Sequence, residues 1–185
     1  MPLLFQIGLK FTPQLSGLLL APISLGVLAV KPLSMIILRF LGYKKLLIIN
    51  TILVALSLWT FTFITTSTPL YTIGFLTFLY GFLIALQYTG MNSLAYANIN
   101  EEELSAATSI MSTIQQLAQS FGIAFAAILI TLFSPQFSDY SLNIISPIEH
   151  SFFAMGIITL FSISIFIKLK PEDGQELIKQ SVIVN

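Results

Sequence analysis

The sequence predicts an all-α integral membrane protein of five transmembrane helices, and three observations carry that prediction. Of 185 residues, 56% are hydrophobic and 9% charged, with a mean hydropathy of +0.91, whereas a water-soluble domain carries roughly 25% charged residues. The charges are confined to a few places: none falls between Lys45 and Glu101, or between Glu103 and Asp139. The apolar runs are long and near-continuous, unlike the roughly ten-residue alternating segments of a membrane β-barrel.

A helix crosses the hydrocarbon layer of about 30 Å in about 20 residues. The 55 uncharged residues from 46 to 100 suffice for two crossings, with a turn at the polar cluster Thr65-Thr66-Ser67-Thr68-Pro69. The 35 uncharged residues from 104 to 138 make one long helix, His150 to Ile167 makes another, and Leu15 to Leu38 makes one interrupted by Lys31. Helices are expected at 13–41, 44–65, 69–97, 101–133 and 147–169, in a membrane domain over 1–170 followed by a cytoplasmic tail over 171–185.

The expected helix starts have their own chemistry. Thr12-Pro13, Thr68-Pro69 and Ser146-Pro147 each place a hydroxyl at the N-cap and a proline at the first helical position, where its missing N–H is no loss. Ser146 with Glu149, and Asn100 with Glu103, have capping-box spacing. Gly42 suits a helix C-cap and Pro171 stops the last helix. Pro22 and Pro32 suggest kinks in the first helix.

With five crossings the loops alternate sides. One side receives Arg39, Lys44, Lys45, Lys168, Lys170 and Lys179; the other receives Lys10. Basic residues mark the cytoplasmic side, so a multi-pass protein of the plasma (inner) membrane is expected, with its N-terminus outside and its C-terminus in the cytoplasm. Met1 to Leu9 is apolar, too short to span, and has no basic n-region, so it reads as the last turns of a helix whose beginning is absent rather than as a signal peptide.

Several function classes are excluded early. There is no cysteine and one histidine, which leaves no thiolate or multi-histidine metal site and no nucleophile–base constellation. No metal, no cofactor and no enzymatic activity are expected. Eight basic residues balance eight acidic ones, so nothing suggests a nucleic-acid partner. The expected partner is the lipid bilayer.

The polar residues inside the spans are the candidate sites. Lys31 lies eight residues before Arg39, about 12 Å along a helix. It is either a snorkelling anchor beside Pro32 or a cation facing a water-filled cavity or an acid elsewhere. In the fourth helix Thr108, Ser112, Gln115, Gln119, Gly122 and Ala126 follow helical steps of three and four. From Ser105, Gln115 lies about 15 Å deep, near mid-bilayer. These amides are either a wall of a substrate path or hydrogen-bonding glue between helices. The third helix has a stripe of Gly74, Thr77, Gly81, Ala85, Tyr88 and Asn92. Its small residues suit close packing, Tyr88 and Asn92 suit a wet wall, and Gln87 points away from that face.

Collinear segments also resemble a known family. They are Met1 to Pro22, Arg39-Phe40-Leu41-Gly42-Tyr43-Lys44-Lys45, Met91-Asn92-Ser93-Leu94, Leu104-Ser105-Ala106-Ala107-Thr108-Ser109 and Gln115-Gln116-Leu117-Ala118-Gln119-Ser120-Phe121-Gly122. Together they resemble the C-terminal part of the major facilitator superfamily, in its drug/proton antiporter branch of EmrB, QacA and MdtD type. The resemblance implies the last five helices of a C-terminal bundle, a missing N-terminal bundle, and drug-like apolar or amphipathic substrates in the intact transporter. It makes Arg39, Gly42, Lys44 and Lys45 the counterpart of a cytoplasmic loop motif, whose acidic residue has no match near Arg39. All eight acids fall in expected loops, helix ends or the tail, so a proton-coupling acid would lie on another segment. The expected function is a segment of a multidrug-efflux-type transporter, inactive alone. The alternative is a non-transporting remnant or a self-associating membrane protein.

Overall fold

A computed structural model describes residues 1–97, 99–134 and 145–170. Among these the regular structure is helical. After a short π-helical turn (Leu4–Gly8) come α1 (Pro13–Thr60), α2 (Leu70–Tyr96), α3 (Leu104–Phe133), α4 (Ile145–Phe161) and the one-turn α5 (Ile163–Phe166). The expected tail over 171–185, and the middle of the expected 134–146 loop, lie outside the described residues.

Four helices are long and apolar enough to cross a membrane, the first being a 51-residue run from Pro13 to Phe63. At 1.5 Å per residue such a run would be about 75 Å long, far beyond a bilayer. It is broken at Gly42, where φ is 69° and ψ 162°, a backbone region that essentially only glycine occupies. The break is a reversal. α2 runs parallel to the first arm of α1 (13–41), with Thr77 on Leu19, Gly81 on Ile23 and Leu86 clustered with Val30. It runs antiparallel to the second arm (43–60), with Tyr80 on Phe61, Leu83 on Asn50 and Gly90 on Leu47. The two arms are therefore separate crossings joined by a single non-helical residue. Pro22 and Pro32 stay within helical φ/ψ, and the first crossing ends at Gly42, where its sequence suits a helix end.

Several helix ends differ from expectation. Thr12 caps α1 as its spacing predicts, accepting from the Leu15 N–H at 3.3 Å, with Pro13 at the first position. Thr68 does not cap α2. Its hydroxyl accepts from the Thr65 N–H at 3.0 Å inside the turn, and Pro69 itself becomes the N-cap without a side-chain bond. The polar cluster 65–68 satisfies its own turn first, and that takes the hydroxyl away. The expected box of Asn100 and Glu103 is replaced by a 3-10 turn, Glu101–Glu103, closed by a 3.0 Å backbone bond from the Glu103 N–H to the Asn100 carbonyl. The second arm ends at Thr60 in another 3-10 turn, Phe61–Phe63.

The core is a row of apolar clusters between α1, α2 and α4. Leu4 and Phe5 of the N-terminal turn are fully buried among Leu19, Phe61, Ile64, Ile73 and Ile148. Leu46, Leu47, Leu86 and Val30 fill the other end. Trp59 of the second arm stacks on Phe153 of α4 with ring centroids 5.4 Å apart, and its indole N–H donates to the Phe153 carbonyl at 3.2 Å. α3 is the exception: across its 30 residues it buries none.

Candidate functional site

Two of the five expected path residues meet. The Gln115 amide of α3 donates to the Asn92 side-chain oxygen of α2 at 2.7 Å. The bond joins the helices at unequal positions, four residues before the end of α2 and eleven into α3. Tyr88, one turn before Asn92 on α2, is exposed. Gln119, one turn after Gln115, is also exposed, as are Thr108, Ser112 and Gln116. The stripe expected on α3 therefore divides. Gln115 and Ala126 are half-buried with Ala107 and Met111, a Cβ on Gly122 would meet open space, and Thr108, Ser112 and Gln119 face outward. A step of four turns about 40° one way around a helix and a step of three about 60° the other, so Gln119, about 40° on from Gln115, falls past the edge of the packed face.

Hydroxyls on this bare face close local bonds. Thr108 and Ser109 both donate to the Ser105 carbonyl, at 2.9 and 3.0 Å, and Ser120 donates to the Gln116 carbonyl at 2.9 Å. Such back-bonding satisfies a hydroxyl in an apolar setting without a partner helix. The two exposed amides, Gln116 and Gln119, have no such option at short range, so their face suits water or a polar neighbour.

Lys31 is exposed on the first arm, at the flank of the buried stripe of Gly26, Val30, Ser34 and Leu38. The Ser34 hydroxyl donates to the Lys31 carbonyl at 3.3 Å, so the residue's backbone is engaged while its side chain points outward. At the reversal, Arg39 and Lys45 are exposed and Lys44 is half-buried around Gly42. Of the acids described, Glu102 and Glu103 are exposed beside the start of α3, and Glu149 is half-buried in the second turn of α4.

A second polar cluster escaped the stripe reasoning. Asn50, 2% exposed, donates both amide hydrogens, one to the Leu83 carbonyl at 2.8 Å and one to the Gln87 side-chain oxygen at 2.7 Å. Gln87 in turn donates to the Thr51 hydroxyl at 3.1 Å, which donates to the Leu47 carbonyl at 2.7 Å. The clue in the sequence was the adjacent pair Asn50-Thr51 inside the apolar run Leu46–Leu58, together with Gln87 lying off the α2 stripe.

Apolar crossings that alternate in direction, with uncharged polar side chains bonded between them, define a multi-pass membrane protein. A sequence model of the Major Facilitator Superfamily matches residues 1–182, and the chain belongs to that superfamily. It is similar to MdtD, a protein named for multidrug resistance. It is 32% identical to MdtD of Pectobacterium carotovorum subsp. carotovorum (strain PC1) over 133 residues, covering 72% of this chain and 28% of that protein. It is 33% identical to MdtD of Escherichia coli O139:H28 (strain E24377A / ETEC) over 137 residues, covering 73% of this chain and 29% of that protein. The chain thus spans less than a third of the length of these relatives. No solved structure matches it.

Proposed function

We propose that this chain supplies the last five helices of a multidrug-efflux transporter and works with an N-terminal bundle carried on another segment. The observation that carries the reading is α3: thirty residues with none buried, two exposed amides, and a third amide, Gln115, bonded to Asn92 of α2. In hydrocarbon an unpaired amide costs several kcal/mol, so such a face suits a water-filled path between two bundles. Similarity to MdtD supports apolar or amphipathic drug-like molecules as substrates. Tyr88, Asn92, Gln115 and Gln119 line the path, and Lys31 faces the same cavity or an acid of the other bundle. The acids described here lie at helix ends, so proton antiport draws its coupling carboxylate from that other bundle. The membrane is the plasma (inner) membrane, with the N-terminus outside and the C-terminus in the cytoplasm. The proposed function is transport and involves no enzymatic step.

The test is reconstitution in membrane vesicles. The 185-residue chain alone is expected to give no proton-dependent dye transport, and a version joined to all of MdtD that precedes the matched region is expected to give it. In that composite, Gln115→Leu with Gln119→Leu should change which substrates are carried while accumulation stays normal. Transport by the chain alone would overturn the reading. So would Leu variants that merely accumulate poorly, because the amides would then be packing groups.

A further inference from the structure

We propose that Asn50 is a positioning residue that sets the rotation of α2 about its own axis, and through it the meeting of Asn92 with Gln115. The inference rests on the path reading for its consequence and on geometry for its substance.

Asn50 is fixed in one orientation. Its amide nitrogen lies 2.8 Å from the Leu83 carbonyl, an acceptor that cannot donate, so an inverted amide would set oxygen against oxygen. With both hydrogens used, its side-chain oxygen is buried without a hydrogen-bond partner among the described residues. A buried unsatisfied acceptor lowers stability, and an apolar residue of similar size would avoid that. Buried polar groups of this kind serve elsewhere to select one register among several of similar packing energy. The apolar side chains discriminate poorly, because α2 is apolar nearly all round: Ile73, Leu83 and Leu86 are buried, while Phe75, Tyr71 and Met91 are exposed on the other sides. The close approach of Gly81 to Ile23 of the first arm holds α2 eleven residues before Asn92, and the polar cluster holds it again much nearer, at Gln87.

The polar bonds discriminate sharply. Asn50 holds Leu83 and Gln87, one turn apart on α2, and Thr51 holds Gln87 a second time. At 100° per residue, Tyr88 is turned 100° from Gln87 and Asn92 is turned 140° from it. Pinning Gln87 against the second arm of α1 therefore points Asn92 toward α3. A rotation of one residue would swing Asn92 by 100° and take it out of reach of Gln115.

Cross-linking in the full chain tests this, because the sequence has no native cysteine. Asn92→Cys with Gln115→Cys in proteoliposomes should link rapidly with a short bis-thiosulfonate reagent. Adding Asn50→Leu with Gln87→Leu removes the polar cluster as a pair and leaves neither partner stranded. Its melting temperature should match or exceed the parent's, while the 92–115 linking rate falls about fivefold, the population change expected for one net hydrogen bond. Thr51→Val, close in shape, removes the acceptor of Gln87, together with the hydroxyl's bond to the Leu47 carbonyl of its own helix, and should slow linking in the same direction. If the Leu pair does not fold, that variant decides. A 92–115 rate unchanged in a folded variant would overturn the proposal. The measurement needs no substrate and no second bundle, so its failure leaves the transport reading standing. Failure of the transport test likewise leaves this result untouched.

Discussion

Gly26 of α1 and Gly81 of α2 meet backbone to backbone at the crossing of the two helices. A Cβ on Gly26 would lie 2.7 Å from the Phe82 nitrogen and closer still to the Phe78 carbonyl oxygen. A Cβ on Gly81 would lie 2.8 Å from the Ile23 Cα. In a membrane, where lipid chains are as apolar as leucine, such close approach is a main source of helix attraction. One turn away, the Thr77 hydroxyl donates to the Leu19 carbonyl at 2.9 Å, a bond that this proximity permits.

Gly81→Ala should therefore destabilise the fold by roughly 1–3 kcal/mol, because the obstruction is backbone and cannot swing aside. Gly17→Ala, whose added carbon meets nothing within 4 Å, should be neutral or slightly stabilising. Thermal unfolding followed by far-ultraviolet circular dichroism compares the two. Equal midpoints would refute the crossing as a stability determinant.

Trp59 is the single tryptophan, so its fluorescence reports the α1–α4 contact alone. A Cβ on Gly156 would come within 2.7 Å of the Trp59 Cδ1. Gly156→Ala should shift the emission maximum and leave helix content unchanged. Trp59→Phe keeps an aromatic ring opposite Phe153 but loses the 3.2 Å bond to its carbonyl, at a cost of roughly 0.5–1.5 kcal/mol. An unshifted spectrum in Gly156→Ala would place the indole elsewhere.

Reporter fusions check the orientation that the basic residues favour. Fusions after Lys45, Asn100 and Asn185 should read as cytoplasmic, and those at Thr66 and Ser141 as external. A cytoplasmic signal at Ser141 would invalidate the order of crossings.

Accessibility separates the two glutamines. A hydrophilic maleimide should modify Gln119→Cys readily and Gln115→Cys slowly, since Gln119 is exposed whereas Gln115 is half-buried against Asn92. Equal rates at both positions would show that α3 is rotated from the orientation described here.

The crossings were legible in the sequence because a charge-free stretch of more than fifty residues admits few alternatives. Gly42 was legible as a helix end, since its neighbours Tyr43, Lys44 and Lys45 follow the first apolar run directly. Asn92 and Gln115 were found separately on two helices, but sequence spacing fixes only the face a residue occupies on its own helix. Their pairing depends on how α2 and α3 lie against each other, which also decides that Gln119 faces outward while Gln115 does not. Thr68 failed as a cap because its hydroxyl had a nearer donor, the Thr65 N–H. Asn50 and Gln87 lie 37 positions apart in the chain, and no local pattern links them.

The reversal at Gly42 has a mechanical consequence. Two membrane crossings are usually joined by a loop whose many torsions absorb displacement. Here the joint is one residue, so the arms have little slack between them. A push on the first arm then reaches the second as a swing about a fixed pivot, with few torsions free to yield, and Asn50 stands eight positions beyond that pivot. Glycine is the residue that lets such a pivot turn, since other side chains would jam its backbone at a positive φ. Lengthening the joint by a few flexible residues would leave both crossings in place and uncouple their motions, turning a lever into two independent posts.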